Sequence, residues 1–124
     1  MQDLQIAATK KTPEIHCSEN GTIIIKGIST PENVTAFYQP LFNWLDEFKL
    51  TNPKIIQLSF DFDYLNTSTT SIILKLLRRV VELKVSGIEI HITWKHEDDG
   101  DDMAEQGSIL QDLIQHPIKF ELKQ

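Results

Sequence analysis

Hydrophobic and polar positions alternate strictly between Ile56 and Tyr64, with Ile56, Leu58, Phe60, Phe62 and Tyr64 on one side and Gln57, Ser59, Asp61 and Asp63 on the other. A period of two is that of a strand with one buried face, placed here over Ile55 to Asp63. Beyond a polar run, Ile73, Leu76, Leu77, Val80 and Leu83 recur at helical spacing, and Lys75, Arg78, Arg79 and Glu82 fall opposite them. Asn66 to Thr70 must therefore hold the helix N-cap and first turn.

The same reading extends along the chain. Glu14 to Ser18 and Thr22 to Ile28 flank Glu19-Asn20-Gly21, whose Asn-Gly pair signals a hairpin between two antiparallel strands. Thr30-Pro31 reads as N-cap and first helical position, and Val34, Phe37, Tyr38, Leu41, Phe42, Leu45 and Phe48 trace an apolar stripe. Pro40 lies within it, which predicts a kink or a restart near Tyr38. Ser86-Gly87 ends the second helix, and Ile88, Ile90, Ile92 and Trp94 alternate with Glu89, His91, Thr93 and Lys95 as a further strand. A third helix is expected from Asp101-Asp102, carrying Met103, Leu110, Leu113 and Ile114 inward until His116-Pro117 stops it. Ile118, Phe120 and Leu122 form the last strand.

Strands alternating with helices imply α/β crossovers with parallel pairing. A parallel sheet covered on both faces would show near-continuous apolar strands, whereas these strands are polar at every second position. Right-handed crossovers advancing in one direction place every helix on one side. The expected architecture is a two-layer mixed sheet of about five strands: an N-terminal β-hairpin, then βαβαβ-type crossovers with three main helices. It resembles the STAS-like fold of anti-sigma-factor antagonists. Its bare face would display Gln57, Ser59, Asp61, Asp63, Glu89, His91 and Thr93. Residues 1–124 read as one domain, with residues 1–11 polar and flexible.

Charge narrows the functional classes. Twelve basic against eighteen acidic side chains give a net charge of −6, which opposes binding to nucleic acid or to anionic membranes. No apolar run approaches the roughly 20 residues of a membrane-spanning helix, and no opening segment reads as a signal peptide. A cytoplasmic location is expected. The lone Cys17 is expected to be an inert packing residue, because its neighbour His16 would point to the opposite strand face.

Catalytic signatures are missing from the sequence: it has no Gly-x-Ser-x-Gly elbow, phosphate-binding glycine loop or His-Glu-x-x-His pair. In the acidic segment His96 to Asp102, aligning Gly100 with the sixth position of a calcium loop puts Lys95 first and Gln106 twelfth, where acids are required. His16, Cys17, His91 and His96 lack zinc-ligand spacing. No metal and no cofactor are expected. A metal-dependent hydrolase using Asp98, Asp99, Asp101 and Asp102 is the remaining enzyme alternative, and it ranks last.

The run Tyr64-Leu65-Asn66-Thr67-Ser68-Thr69-Thr70-Ser71 carries the strongest chemical indication. The first N–H groups of a helix lack partners within it, and the helix dipole places partial positive charge there, so an anion is welcome. A phosphate ester on Thr67 or Ser68 would bring roughly 1.5 to 2 negative charges to that point. A plain capping role for Asn66 or Thr67 explains the same residues.

Five pieces in register, Thr12-Pro13-Glu14-Ile15, Gly27 to Asn33, Tyr64 to Thr69, Trp94 to Gly107 and Pro117-Ile118-Lys119-Phe120, resemble the SiaC-type regulatory phosphoproteins. That resemblance implies a noncatalytic bacterial switch, phosphorylated on Thr67 by a dedicated protein kinase and restored by a dedicated protein phosphatase, with Ser68 the second candidate. Tyr64, Leu65, Asn66, Ser68 and Thr69 would then flank the phosphosite and contribute to partner binding. It further implies that the unphosphorylated form binds and activates an effector, a diguanylate cyclase, within cyclic-di-GMP signalling. Asp98, Asp99, Asp101 and Asp102 would form an acidic interaction loop. The alternative is a constitutive interaction module whose hydroxyl run only caps a helix.

Overall fold

The computed structural model describes residues 1–98 and 101–124. Six strands form one sheet in sequential order: β1 (Leu4–Ile6), β2 (Glu14–Cys17), β3 (Thr22–Ser29), β4 (Ile55–Leu65), β5 (Glu89–His96) and β6 (Lys119–Leu122). The first three pair antiparallel, and β3 through β6 pair parallel. Three helices make the parallel crossovers: α1 (Val34–Phe48), α2 (Thr67–Glu82) and α3 (Asp102–Ile114). Because the strands advance in one direction, right-handed crossovers stack all three helices on one face.

Burial follows the alternation. Ile23, Ile25, Ile56, Leu58, Phe60, Phe62, Ile90, Ile92 and Trp94 are buried beneath the helices. They meet Tyr38, Leu41, Leu45 and Phe48 of α1, Ile73, Leu76, Leu77 and Val80 of α2, and Leu110 of α3 in one apolar cluster. The opposite face carries Lys26, Gln57, Ser59, Asp61, His91, Thr93 and Lys95 around an open hollow of about 600 Å³. One covered face and one polar face is the two-layer arrangement expected from the pattern. Gly107 lets α3 approach the sheet, since a Cβ there would lie 2.6 Å from Trp94 Cδ1 and 2.8 Å from Phe120 Cε1.

Several local expectations are corrected. The sheet has a sixth strand, β1, inside the segment read as flexible. Leu4 and Ile6 are partly buried and pack against the core, and Thr30 N–H donates to the Lys11 carbonyl at 2.6 Å. A segment this polar can still be held by backbone bonds, which composition does not reveal. Helix α1 starts at Val34 because the side chain of Asn33, the N-cap, accepts from Ala36 N–H at 3.0 Å, while Thr30 is engaged with Lys11. The helix also continues through Pro40 without a restart. Ala36 and Pro40 are both exposed, so water can take the freed carbonyl, while Tyr38, Leu41, Trp44, Leu45 and Phe48 anchor both sides of the proline.

Strand β4 runs two residues further than expected, to Leu65. Leu113 and Leu122, expected inside, are 49% and 56% exposed. Among the described residues, no helix is long and apolar enough to cross a membrane.

Candidate functional site

The register of β3 with β4 shifts at the helix entrance: Gly27 pairs with Phe62, but Ile28 pairs with Tyr64, leaving Asp63 as an extra residue. A bulge of this kind reverses the alternation beyond it and re-aims side chains. Asp63 and Tyr64 are consequently both exposed, Tyr64 at 57%, and Leu65 turns inward to become buried. This corrects the placement of Tyr64 on the buried face and sets its ring at the surface, three residues before Thr67.

Asn66 has extended backbone, and its Oδ1 accepts from Thr69 N–H at 2.9 Å and from Ser68 Oγ at 3.1 Å. It is the N-cap, so Thr67 is the first residue of α2. Replacing Asn66 with Ala should lower stability by about 1 kcal/mol, read as a reduced midpoint in urea unfolding. An unchanged midpoint would show that the cap is not holding the helix start.

The hydroxyls of the run separate by environment. Thr69 is fully buried; its Oγ1 donates to the Ser29 carbonyl at 3.0 Å and lies 2.9 Å from Ser29 Oγ, which is 2.8 Å from Tyr38 Oη. With one proton per hydroxyl, Tyr38 donates to Ser29 Oγ, Ser29 Oγ donates to Thr69, and Thr69 donates to the carbonyl. Burial pushes the Tyr38 phenol up to about 12, keeping it neutral and able to donate. Asn66 N–H also donates to the Ser29 carbonyl, at 3.2 Å. The start of α2 is thus fastened to the end of β3 and, through Tyr38, to α1. Thr70 Oγ1 is shared between the Asn66 carbonyl and Gln106 Oε1, both at 3.2 Å. Thr67, Ser68 and Ser71 remain exposed, and among the described residues no hydrogen bond engages the Thr67 hydroxyl. Ser29, Tyr38 and Gln106 support the site without any local sequence signal, because their partners lie far away in the chain.

Two hollows border this helix start. One, of about 360 Å³, is lined by Asp63, Tyr64, Glu97, Asp101, Asp102, Gln106 and Lys123, among others. Lys123 Nζ reaches Asp61 at 3.2 Å and Asp63 at 3.4 Å and donates to the Phe62 carbonyl, bridging the tail of β4. The other hollow, of about 160 Å³, lies between α2 and α3 and is largely apolar, with Thr67 at its rim.

Asp101 caps α3: its carboxylate accepts from Ala104 N–H at 2.7 Å, Asp98 N–H at 3.1 Å and Glu97 N–H at 3.2 Å. These donors, Ala104 first, hold its carboxyl below the usual carboxylate range. Asp98 and Asp102 are exposed; Asp99 lies outside the described residues. Within the acidic segment, Asp101 is therefore committed to a structural bond, whereas Asp98 and Asp102 present their carboxylates outward.

A family model for SiaC family regulatory phosphoproteins matches residues 6–124. The chain belongs to that family. Among curated proteins, an uncharacterised protein of Pseudomonas aeruginosa strain UCBPP-PA14 is 26% identical over 106 residues, spanning 85% of this chain and 84% of its own. Among solved structures, SiaC of Pseudomonas aeruginosa superposes with a TM-score of 0.90 at 23% identity, covering 99% of this chain and 100% of that one. The SiaC chain in a crystal structure of the diguanylate cyclase SiaD with its activator SiaC gives 0.89 at 23% identity, covering 98% and 100%. At these identities the solved structures establish a shared fold.

In this SiaC family member, the residues once weighed for metal or thiol chemistry do not converge. His16 and His91 occupy strand positions on the polar sheet face, whereas Cys17 and His96 alternate to the buried side. His91 instead pairs with Glu89 at 2.7 Å. Burial, with a smaller contribution from Asp3, pushes the Cys17 thiol up to about 12. Native protein at about pH 8 should therefore resist iodoacetamide, while urea-unfolded protein should take up one label. Intact mass distinguishes the two outcomes, and rapid labelling of the native form would place Cys17 outside the core.

Proposed function

We propose that this SiaC family protein is a noncatalytic phosphoswitch. In this reading Thr67 is phosphorylated by a protein kinase and dephosphorylated by a protein phosphatase, and the unphosphorylated form binds and regulates an effector. A diguanylate cyclase is the proposed effector, by analogy with the complex of SiaD and SiaC.

The observation that carries this reading is the contrast between neighbouring hydroxyls. Thr69 and Thr70 are tied into bonds with Ser29, Asn66 and Gln106, whereas Thr67 is exposed at the first position of α2. A kinase must reach an accessible hydroxyl, and the product phosphate must be tolerated by the fold. The N-terminus of a sixteen-residue helix favours negative charge. Ser68 is also exposed but donates to Asn66, so modifying it would disturb the cap, and it ranks second.

Phosphopeptide mass spectrometry of the protein from its native cells under two growth conditions tests the modification. A condition-dependent phosphate on Thr67 is the expected result. Unmodified protein in both conditions, with phosphatases inhibited, would overturn the switch.

A further inference from the structure

We propose that β6 is an interface for a second copy of this chain, which pairs antiparallel with it about a two-fold axis through Phe120. The proposal stands independently of the phosphoswitch reading. Among the described residues, β6 pairs with β5 alone, so its outer side is a free edge. Lys123 N–H donates to the His96 carbonyl of β5, and the main-chain groups of successive strand residues point to opposite sides. Lys119 and Glu121 therefore turn their N–H and C=O toward β5, whereas Phe120 and Leu122 turn theirs outward. A row of outward main-chain groups is a template for another strand unless charge, a bulge or a covering element blocks it.

The side chains select both the occupant and the register. Centring the two-fold on Phe120 sets Lys119 opposite Glu121 of the second copy, and Glu121 opposite its Lys119, on the polar face of the sheet. These are the non-hydrogen-bonded pairs, whose side chains stand closer, and opposite charges there are stabilising. On the helix face Phe120 meets its own counterpart, and the exposed Leu122 meets the buried Ile118. The outward groups match in the same register: Phe120 exchanges both main-chain bonds with its counterpart, and each Leu122 N–H reaches the opposite Ile118 carbonyl. Centring on Lys119 or Glu121 would instead oppose two lysines or two glutamates. Centring on Leu122 would call on Lys123, which is held by Asp61 and Asp63. Helix α3 leaves this edge open. Gln111 Oε1 accepts from Ile118 N–H at 2.7 Å, which sets that flank of α3 beside the entry to β6. Ala104, Ser108 and Gln115 follow Gln111 at helical spacing, so the flank carries no charge to repel its counterpart. A two-fold axis perpendicular to the sheet keeps both helix layers on one side, and the dimer then presents two α2 starts to a partner of matching symmetry.

Sedimentation of the full, unmodified chain tests the proposal. Two four-residue strands make a small interface, so half-association is expected at roughly 10 to 100 μM. The mass should rise reversibly from 14.3 kDa to twice that value and stop there, while the Phe120 and Leu122 amides slow in hydrogen exchange as the dimer fills. Lys119→Glu or Glu121→Lys alone should weaken association at least about tenfold. The two together should restore it to within about threefold, because opposite charges then face each other again. Leu122→Pro removes an N–H that points away from β5, so this variant should fold and stay monomeric. Unchanged melting will confirm that the charge variants and the proline variant are folded. A chain that stays monomeric at about 1 mM, one that grows past the dimer, or a dimer that none of these variants weakens would overturn the assignment. Slowed exchange confined to other strands would overturn it as well.

Discussion

Stoichiometric phosphorylation of Thr67 is expected to weaken effector binding by about 100-fold or more while leaving the fold intact. At the first position of α2, a phosphate gains from the helix dipole roughly 0.3 to 1 kcal/mol in an exposed setting, so the free protein should melt at nearly the same temperature. In a complex that covers the helix start, the same group must lose water. An uncompensated buried charge costs about 3 to 5 kcal/mol, and each 1.4 kcal/mol is roughly tenfold in affinity. Thr67→Ala should fold, bind and lose regulation, because no hydrogen bond among the described residues depends on its hydroxyl. Thr67→Asp should weaken binding by less than phosphate does, having one charge and less bulk. Calorimetry with the purified effector decides the matter: full affinity retained after modification would reject Thr67 as the switch.

The neighbouring hydroxyls predict a different phenotype. Thr69 has its donor and acceptor capacity committed to Ser29 in the core, so its replacement would loosen the link between α2 and β3 before it altered any interface. This contrast explains how a run of similar side chains divides into exposed hydroxyls, among which that of Thr67 is not engaged in a hydrogen bond among the described residues, and the hydroxyls of Thr69 and Thr70, which hold the helix start in place. The division depends on tertiary position, since Thr67, Ser68, Thr69 and Thr70 are alike in sequence character.

Much of the architecture was legible because it rests on local physics. The Asn-Gly pair marks the hairpin, strict alternation marks β4 and β5, and helical spacing marks α2. Polar residues at every second strand position correctly imply a sheet covered on one side. The helix start at Asn66 was legible for the same reason. The misreadings all involve information that local periodicity does not contain. Strand β1 is three residues long and is recognised through its pairing with β2. Asn33 replaces Thr30 as the cap of α1 because Thr30 is drawn to Lys11 from a distant part of the chain. Tyr64 continues the alternation on paper, but the extra residue Asp63 reverses its direction in space. Leu113 follows the helical stripe, yet α3 rolls so that Leu110 and Ile114 are buried and Leu113 faces outward. The exposed Tyr64 lies three residues before Thr67, and Leu113 lines the hollow between α2 and α3 that Thr67 also borders.

Gly21→Ala is expected to lower stability by about 3 kcal/mol. Gly21 has φ of 98°, where a side chain costs roughly 1 to 2 kcal/mol. A Cβ there would also stand 2.1 Å from the Ile55 carbonyl oxygen and 3.2 Å from its carbon. That neighbour is backbone at the start of β4 and cannot swing aside. Gly21 further accepts from Gln57 N–H at 2.8 Å and donates to the Ser18 carbonyl at 2.9 Å, so moving it would disturb the hairpin and the first β3–β4 pairing together. Overpacking of this kind adds about 1 to 3 kcal/mol. For a domain of this size, the sum corresponds to a melting temperature lower by roughly 10 to 20 °C. Gly87→Ala provides the control: its φ is 85°, but nothing lies within 4 Å of the added Cβ. It should show the conformational cost alone, about 1 kcal/mol. Urea unfolding of the two variants therefore separates strain from collision, and equal losses would mean that the hairpin can withdraw from β4 without penalty.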